Sequence, residues 1–400
     1  MTLFRAVARR RRPLVIAAAA LLVAASIATV LLIGGRIHPS TSSVVAVSAG
    51  FDDCGAGWTS SSGGAVDFAV SNSTIAGEDV YLEDVTGRVY GEVEGLGSNG
   101  LQHLPVVLGD GRYRFVCIPA ESDPIRGPIV RVANARRGLA GSPAIPVVTR
   151  AELLPAARQY EAWVASRLPV LQADARSLDD ALRAGDADSA RRAWLTTHVE
   201  YETLGAAYGA FGDADSAIDG TPAPGRTALD DPDLTGLHRI EALLWSGAAP
   251  QSVEPVAARL AVDVDGLASA LSAQHVDASD VGLRAHEILE NAIRFELTDA
   301  DDAGSGTQLA TIAAHLDGTR EALDPLLPLL RTRYPDLETT RRWLDRSAAL
   351  VAGFQRPDGS WTPLDALSRP QREMLDATLD RTVELLAPVA AICDPRTADR

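Results

Sequence analysis

The sequence predicts a multidomain chain with an N-terminal transmembrane helix, a β-sandwich and an all-α helical bundle. A charge-free apolar run follows a cluster of arginines at the N-terminus. Short alternating segments separated by glycine-rich turns then occupy residues 51–135, and apolar residues at three-to-four spacing fill residues 149–400. With 400 residues, of which 46% are hydrophobic and 22% charged, the chain can bury more than one core.

The first element is an apolar segment that matches the thickness of a membrane. Residues 14–33 carry no charge, and about twenty residues rising about 1.5 Å each span a hydrocarbon core of roughly 30 Å. The arginines before Pro13 keep this end in the cytoplasm. We therefore predict a single-pass signal anchor over residues 1–36, in the cell membrane, with the bulk of the chain exported to the periplasm or cell exterior. Small residues at Ala24 and Ala25 leave a cleaved signal peptide as the alternative.

The charge balance limits the partners of the exported part. Acidic residues outnumber basic ones, 53 against 37, and give a net charge of −16. Nucleic acids and anionic membrane surfaces select positive patches, so neither is expected as the main partner. An acidic exported domain attracts cations, although solubility alone also explains an acidic surface.

The residues after the anchor favour β-structure. Residues 37–50 are rich in Ser, Thr and Val and are predicted to form a spacer. Within residues 51–135, Tyr113 and Phe115 alternate with polar residues, and a Gly-Asp-Gly sequence predicts a hairpin turn. Repeated segments of this kind are typical of a β-sandwich of about 90 residues. Glycine and proline over residues 136–148 predict a linker.

The helical part contains histidines spaced three or four residues before a glutamate. The pairs are His238 and Glu241, His198 and Glu202, and His286 and Glu290. Residues at these spacings share one helix face, so an imidazole and a carboxylate could converge on one cation. Glu287 lies three residues before Glu290 and shares its face. The same spacing is also typical of a solvated ion pair, and a complete metal site needs ligands from more than one helix.

The segment GLHRIEALLW, with Gly236, His238 and Glu241, resembles the Gly-x-His-x-x-Glu motif of the imelysin family. The blocks HVEYETLGAAYGAFGDADSAIDG, RAHEILENAIRFELT and GSGTQLATIAAHLDGTREAL are similar to the EfeO branch of that family. The strand-rich half, through VYLEDVTGRVYGEVEGLG and YRFVCIP, resembles the cupredoxin-like domain that often precedes it. The resemblance implies a cupredoxin-like sandwich over residues 51–135 and an imelysin-like metal-binding domain over residues 149–400.

The resemblance also implies a function. The resemblance implies that the chain is an extracytoplasmic iron-binding component of an EfeUOB-type uptake system. A membrane iron permease and a haem peroxidase of the same system would be its partners. The same resemblance implies that His238 and Glu241 bind Fe(II) or Fe(III), and we expect Glu202, Glu287 and Glu290 to contribute further ligands. Carboxylate oxygens with imidazole suit iron. Two alternatives stay open: an imelysin-type metallopeptidase, although HExxH is absent, and an acidic cell-surface interaction module without metal.

The strand-rich half departs from a blue-copper pattern. Such a site takes two histidines, one cysteine and usually a methionine. Residues 51–135 contain His103 as their one histidine and no methionine, so copper is not expected there. We expect Cys54 and Cys117 to form a disulfide, which export allows, with a copper-thiolate role as the alternative.

Overall fold

The computed structural model describes residues 43–50, 53–120, 123–142, 144–271 and 274–395. Contacts within the chain divide it into two units, with the boundary between Ala144 and Ile145. The predicted anchor over residues 1–36 lies outside the described residues. Across the ranges given above, no helix combines the length and the apolar character that crossing a membrane requires.

The first unit consists of two β-sheets. Its strands are β1 (Ser43–Ala49), β2 (Ser61–Ser62), β3 (Gly64–Asn72), β4 (Glu78–Asp84), β5 (Arg88–Leu96), β6 (Leu101–Leu108), β7 (Gly111–Pro119), β8 (Ile125–Arg126) and β9 (Val130–Ala133). In one sheet, β3 pairs with β1 in parallel and with β6 antiparallel. In the other, the order is β5-β4-β7-β9-β2, and β8 pairs with β7. Apolar side chains from both sheets form one core, as in a sandwich.

Strand β1 corrects the predicted start of this unit. Residues 37–50 are expected from their composition to be a spacer, but β1 pairs along its whole length with residues 66–72 of β3. Val47 and Ala49 are buried, whereas Val44 is 61% exposed. Val45, Val47 and Ala49 face inward, whereas Val44, Ala46 and Ser48 lie on the outer side, so this segment is a half-buried strand whose outer side is also largely apolar.

Aromatic rings and a disulfide fill the centre of the sandwich. Trp58, Phe68 and Phe115 pack edge to face, with ring centroids 4.9 to 5.7 Å apart. The structure joins Cys54 to Cys117, whose Cα atoms are 5.7 Å apart and 63 residues apart in sequence. Closing a loop of that length stabilises a fold by about 4 kcal/mol. With both sulfur atoms in the disulfide, neither is a thiolate ligand.

The second unit is helical after a short strand, β10 (Ile145–Pro146). Its helices are α1 (Arg150–Arg183), α2 (Ala187–Glu202), α3 (Tyr208–Phe211), α4 (Asp213–Asp219), α5 (Gly236–Trp245), α6 (Pro250–Ala270), α7 (Asp280–Asn291), α8 (Gln308–Leu323), α9 (Leu327–Arg333), α10 (Leu337–Ala352) and α11 (Arg369–Ile392). A π-helical turn, Ala292–Glu296, follows α7. Helix α1 packs on α2 and α6, and α7 packs on α8 and α11. One apolar core runs through these helices.

Candidate metal centre

Four helices of the second unit bring histidine and carboxylate side chains to one buried place. The residues are His198 and Glu202 on α2, Asp219 at the end of α4, His238 and Glu241 on α5, and His315 on α8. Their side chains are between 2 and 15% exposed. Burying this many ionisable groups is costly unless they pair with one another or with an ion. We call these six residues the His/carboxylate cluster.

Gly236 explains why α4 and α5 meet at the cluster. Its φ is +75°, and a Cβ at this position would lie 2.1 Å from the carbonyl oxygen of Ile218. Only glycine allows this backbone conformation together with so close an approach. Thr235 reinforces the junction, since its hydroxyl donates a hydrogen bond of 3.0 Å to the carbonyl oxygen of Ala217. The junction places Asp219 beside His238.

A second close approach brings α8 to the cluster. A Cβ at Gly318 would lie 2.5 Å from the carbonyl oxygen of Thr203, which follows α2. The two backbones can therefore touch, and one turn before Gly318 the side chain of His315 reaches α2. The Nε2 atom of His315 lies 2.6 Å from Oε2 of Glu202.

The ligand-type atoms converge around Asp219. Its Oδ1 lies 3.7 Å from Nε2 of His238 and 4.0 Å from Nε2 of His198. The same nitrogen of His198 lies 3.3 Å from Oε1 of Glu202. Two ligands that are each about 2.0–2.2 Å from an ion are at most about 4.4 Å apart. Ligand atoms of His198, Glu202 and Asp219 all lie within 4.8 Å of one another, close to this limit, and His238 adjoins the three through Asp219.

Several polar atoms of the cluster lack a hydrogen-bond partner. Within the described ranges, Oδ1 of Asp219 and the Nδ1 atoms of His198, His238 and His315 are buried without one. A buried polar atom in this state costs about 1–3 kcal/mol. Asp219 Oδ1 lies within 4.0 Å of Nε2 of both His198 and His238, so a cation bound beside it would satisfy it.

Burial and neighbouring charges have opposite effects on most pKa values in the cluster. Burial opposes protonation of both imidazoles, yet neighbouring carboxylates raise the pKa of His198 to about 9 and that of His238 to about 10. Burial also opposes ionisation of Glu202, but its contacts with His198 and His315 hold its pKa well below the usual value. Burial and the charge of Glu202 raise the pKa of Asp219 well above its usual value. The carboxylates of the cluster therefore stabilise positive charge at this place, and a metal ion can supply that charge.

Surrounding aromatic residues fix the ligand side chains. Trp194 stacks on His198, with ring centroids 4.9 Å apart, and its indole N–H donates a hydrogen bond to the carbonyl oxygen of Leu237. The hydroxyl of Tyr208 donates to Oε2 of Glu202 at 3.3 Å. Partners of this kind orient metal ligands and tune their basicity.

A pocket opens onto the cluster. It has a volume of about 450 Å³, and its wall includes His238, Arg226, Asp301 and Asp302. Asp301 and Asp302 are partly buried, and burial is the largest of the causes that raise the pKa of each. The pocket wall therefore carries two carboxylates together with the imidazole of His238.

The structure brings together some of the predicted ligands and not others. His238, Glu241 and Glu202 lie in the cluster. Glu287 instead accepts a hydrogen bond of 2.6 Å from Arg284, and Glu290 is 58% exposed beside His286. Helix α7 buries an apolar face, including Ala285, Ile288 and Leu289, so its acidic side chains are directed elsewhere. The structure therefore does not place Glu287 and Glu290 among the clustered ligand atoms.

Three members of the cluster, His198, Asp219 and His315, are not among the ligands that the sequence predicts. His198 is noted only as half of a pair, and Asp219 and His315 are not singled out. His315 stands in an otherwise apolar helical run, a position that indicates a buried histidine. Asp219 precedes Gly220 at a helix end, a position that is equally typical of a solvated residue. Glu296, whose pKa burial raises to about 7, also lies near these groups, at the end of a π-helical turn often found at functional sites.

The fold and the site together define a class of protein. It is a helical bundle with a buried centre of histidines and carboxylates, preceded in the sequence by a β-rich region. The family model of Imelysin, whose full designation includes the word peptidase, matches residues 156–389. The chain therefore belongs to the imelysin family, as its motif and blocks predict.

Curated relatives make the likeness to the EfeO branch explicit. The proteins named "Iron uptake system component EfeO" of Escherichia coli K12, Shigella flexneri and Escherichia coli O157:H7 are each 26% identical to this chain over 237 residues. The match covers 58% of this chain and 62% of each relative, so the chain spans less than two thirds of their length. The predicted order of a β-rich region followed by a helical imelysin domain is confirmed.

Proposed function

We propose that this protein is an extracytoplasmic iron-binding component of an EfeO-type uptake system. In this proposal one iron ion binds between His198, Glu202, Asp219 and His238. The observation that carries the proposal is that ligand atoms of His198, Glu202 and Asp219 all lie within 4.8 Å of one another at a buried point. Asp219 Oδ1 has no hydrogen-bond partner there, and Nε2 of His238 lies 3.7 Å from it. The relatives named as iron uptake components support iron as the ion.

The donor set agrees with this cargo. Imidazole nitrogens and carboxylate oxygens suit first-row ions such as Fe(II) and Fe(III), whereas soft ions select thiolates. The cluster contains no sulfur ligand. Imidazole ligands must be unprotonated at the binding nitrogen, so iron capture releases the protons that the carboxylates stabilise in the metal-free site.

The pocket and the N-terminal sequence support a role in transfer. The pocket beside His238 gives the cluster an opening through which an ion can enter and leave. The predicted anchor over residues 1–36 would hold the exported units at the membrane. We therefore propose that the bound iron passes to a membrane permease, and that a haem peroxidase of the same system acts on the iron supply.

Iron titration of the purified full chain tests the binding site. We expect one Fe(II) per chain under anaerobic conditions, and we expect the double variant His198→Ala, His238→Ala to abolish binding because it removes both imidazole ligands. His286→Ala is the matched control, since that histidine has the same spacing to a glutamate but lies outside the cluster. Wild-type stoichiometry in the double variant would refute the proposed site.

The family designation keeps a metallopeptidase as the second candidate. That activity would need the ion to activate water beside a general base, and the cluster has carboxylates that could accept a proton. Incubation of the full chain with an unfolded protein substrate separates the two functions. We expect no cleavage; fragments that disappear in the His198→Ala, His238→Ala variant would establish the peptidase instead.

A further inference from the structure

We infer that Glu241, the glutamate of the His-x-x-Glu motif, is a positioning residue and does not bind the ion. It orients the imidazole of His238 and holds the pocket segment 301–306 against the cluster. The inference rests on the proposed function, because it assigns separate roles to the two motif residues at the proposed iron site.

One oxygen of Glu241 is already occupied by the backbone of the pocket segment. Oε1 accepts hydrogen bonds from the backbone N–H groups of Ala303 at 3.1 Å and Ser305 at 3.0 Å. Glu241 is only 1% exposed, so water cannot replace these donors without rearrangement. Charge-assisted hydrogen bonds from two amides to a buried carboxylate are strong, and binding an ion through Oε1 would weaken both.

The other oxygen faces the wrong side of the imidazole for a shared ion. Oε2 of Glu241 lies 3.5 Å from Nδ1 of His238, whereas Nε2 of His238 lies 3.7 Å from Asp219. The two ring nitrogens point away from each other. An ion bound to Nε2 among His198, Glu202 and Asp219 therefore lies across the ring from Glu241. A carboxylate beside the second nitrogen is the usual way of orienting a metal-binding histidine; here the 3.5 Å contact is an ion pair and not a hydrogen bond.

The same carboxylate thus connects the site with its opening. The segment 301–306 carries Asp301 and Asp302, which line the pocket. Asp302 in turn accepts backbone hydrogen bonds from Gly304 at 3.0 Å and Gly306 at 2.8 Å, which shapes the segment. Removing Glu241 should release this segment as well as the ring of His238.

Three variants of the full chain separate positioning from binding. Glu241→Gln keeps an oxygen that can accept from Ala303 and Ser305 but places an amide against His238, and Glu241→Ala removes both contacts. Asp219→Ala is the comparator that removes a proposed ligand. We expect both Glu241 variants to bind one Fe(II) per chain about 10–100-fold more weakly, the range typical for groups behind a ligand. The visible absorption of bound Co(II) should stay as in the wild type for both and change for Asp219→Ala.

Amide hydrogen exchange of the metal-free protein gives an independent readout. The amides of Ala303 and Ser305 should exchange faster in Glu241→Ala and at the wild-type rate in Glu241→Gln. Unchanged exchange in Glu241→Ala, or a changed Co(II) spectrum in Glu241→Gln and Glu241→Ala, would overturn the inference. If the wild type binds no Fe(II), the proposed function fails, and the exchange rates alone decide whether Glu241 holds the segment.

Discussion

Two His-x-x-x-Glu pairs of the helical unit share one spacing and have different surroundings. His198 and Glu202 are both 7% exposed, 3.3 Å apart, and Glu202 also contacts His315 from another helix. His286 and Glu290 are 18 and 58% exposed and 3.8 Å apart. Spacing places each pair on one helix face, but only the first pair faces ligand-type groups from other helices.

The difference shows what a binding site requires beyond a motif. Exposed ion pairs contribute only about 0.2–1 kcal/mol, because water and salt screen them. A buried group of charges is retained against a large desolvation cost, so it has to be compensated within the site or by a ligand. Helix α2 meets such compensation from α4, α5 and α8, whereas the outward side of α7 meets solvent.

The largest expected effect tests the difference between the two pairs directly. Glu202→Gln should weaken Fe(II) binding by more than about 100-fold, since it removes a proposed ligand rather than a group behind one. Glu290→Gln makes the same chemical change at the exposed pair and should leave binding unchanged. Anaerobic calorimetric titration of both variants measures the two affinities. Equal losses in both variants would show that spacing, and not convergence, defines the site.

The two pairs also show how far the sequence predicts the site. Helical periodicity and the motif blocks predict the helical unit, and two-residue alternation predicts much of the sandwich. Histidine-to-glutamate spacing predicts Glu202 and His238 as ligands, because each His/Glu pair lies on one helix face. It says nothing about which helices meet, so it does not predict Asp219 or His315, and it also predicts Glu287 and Glu290, which lie outside the cluster. Contacts between helices depend on packing, which here is set by glycines rather than by the ligands themselves.

Gly236 offers a test of that packing, with an intermediate expected effect. Gly236→Ala should lower the free energy of unfolding by more than about 1–3 kcal/mol, because it combines a left-handed backbone conformation with a Cβ placed 2.1 Å from the Ile218 carbonyl oxygen. It should also weaken iron binding by moving Asp219 away from His238. Urea unfolding followed by circular dichroism, together with Fe(II) titration, measures both changes.

Gly247 provides the matched control for Gly236. Its φ is +83°, but no atom lies within 4 Å of a Cβ at this position in the described structure. Gly247→Ala should therefore cost only the backbone strain, about 1–2 kcal/mol, and leave iron binding intact. If both alanine variants lost the same stability and the same affinity, close approach at Gly236 would not be what assembles the site.

The last expected effect concerns a buried carboxylate of the β-unit, which lacks the imidazole partners that Glu202 has. Glu78 is 3% exposed, and neither of its carboxylate oxygens has a hydrogen-bond partner within the described residues. Burial, with the charges of Asp53 and Asp79, raises its pKa from 4.5 to about 7. The folded state therefore holds a proton that the unfolded chain gives up, so stability is fully present below pH 4.5 and is lost as pH rises towards 7. Glu78→Gln should remove this component of the pH dependence, and urea unfolding of both proteins followed by tryptophan fluorescence between pH 4 and about 8 measures the difference. An identical pH profile in Glu78→Gln would show that Glu78 is ionised in the fold and that burial alone does not distinguish it from Glu202.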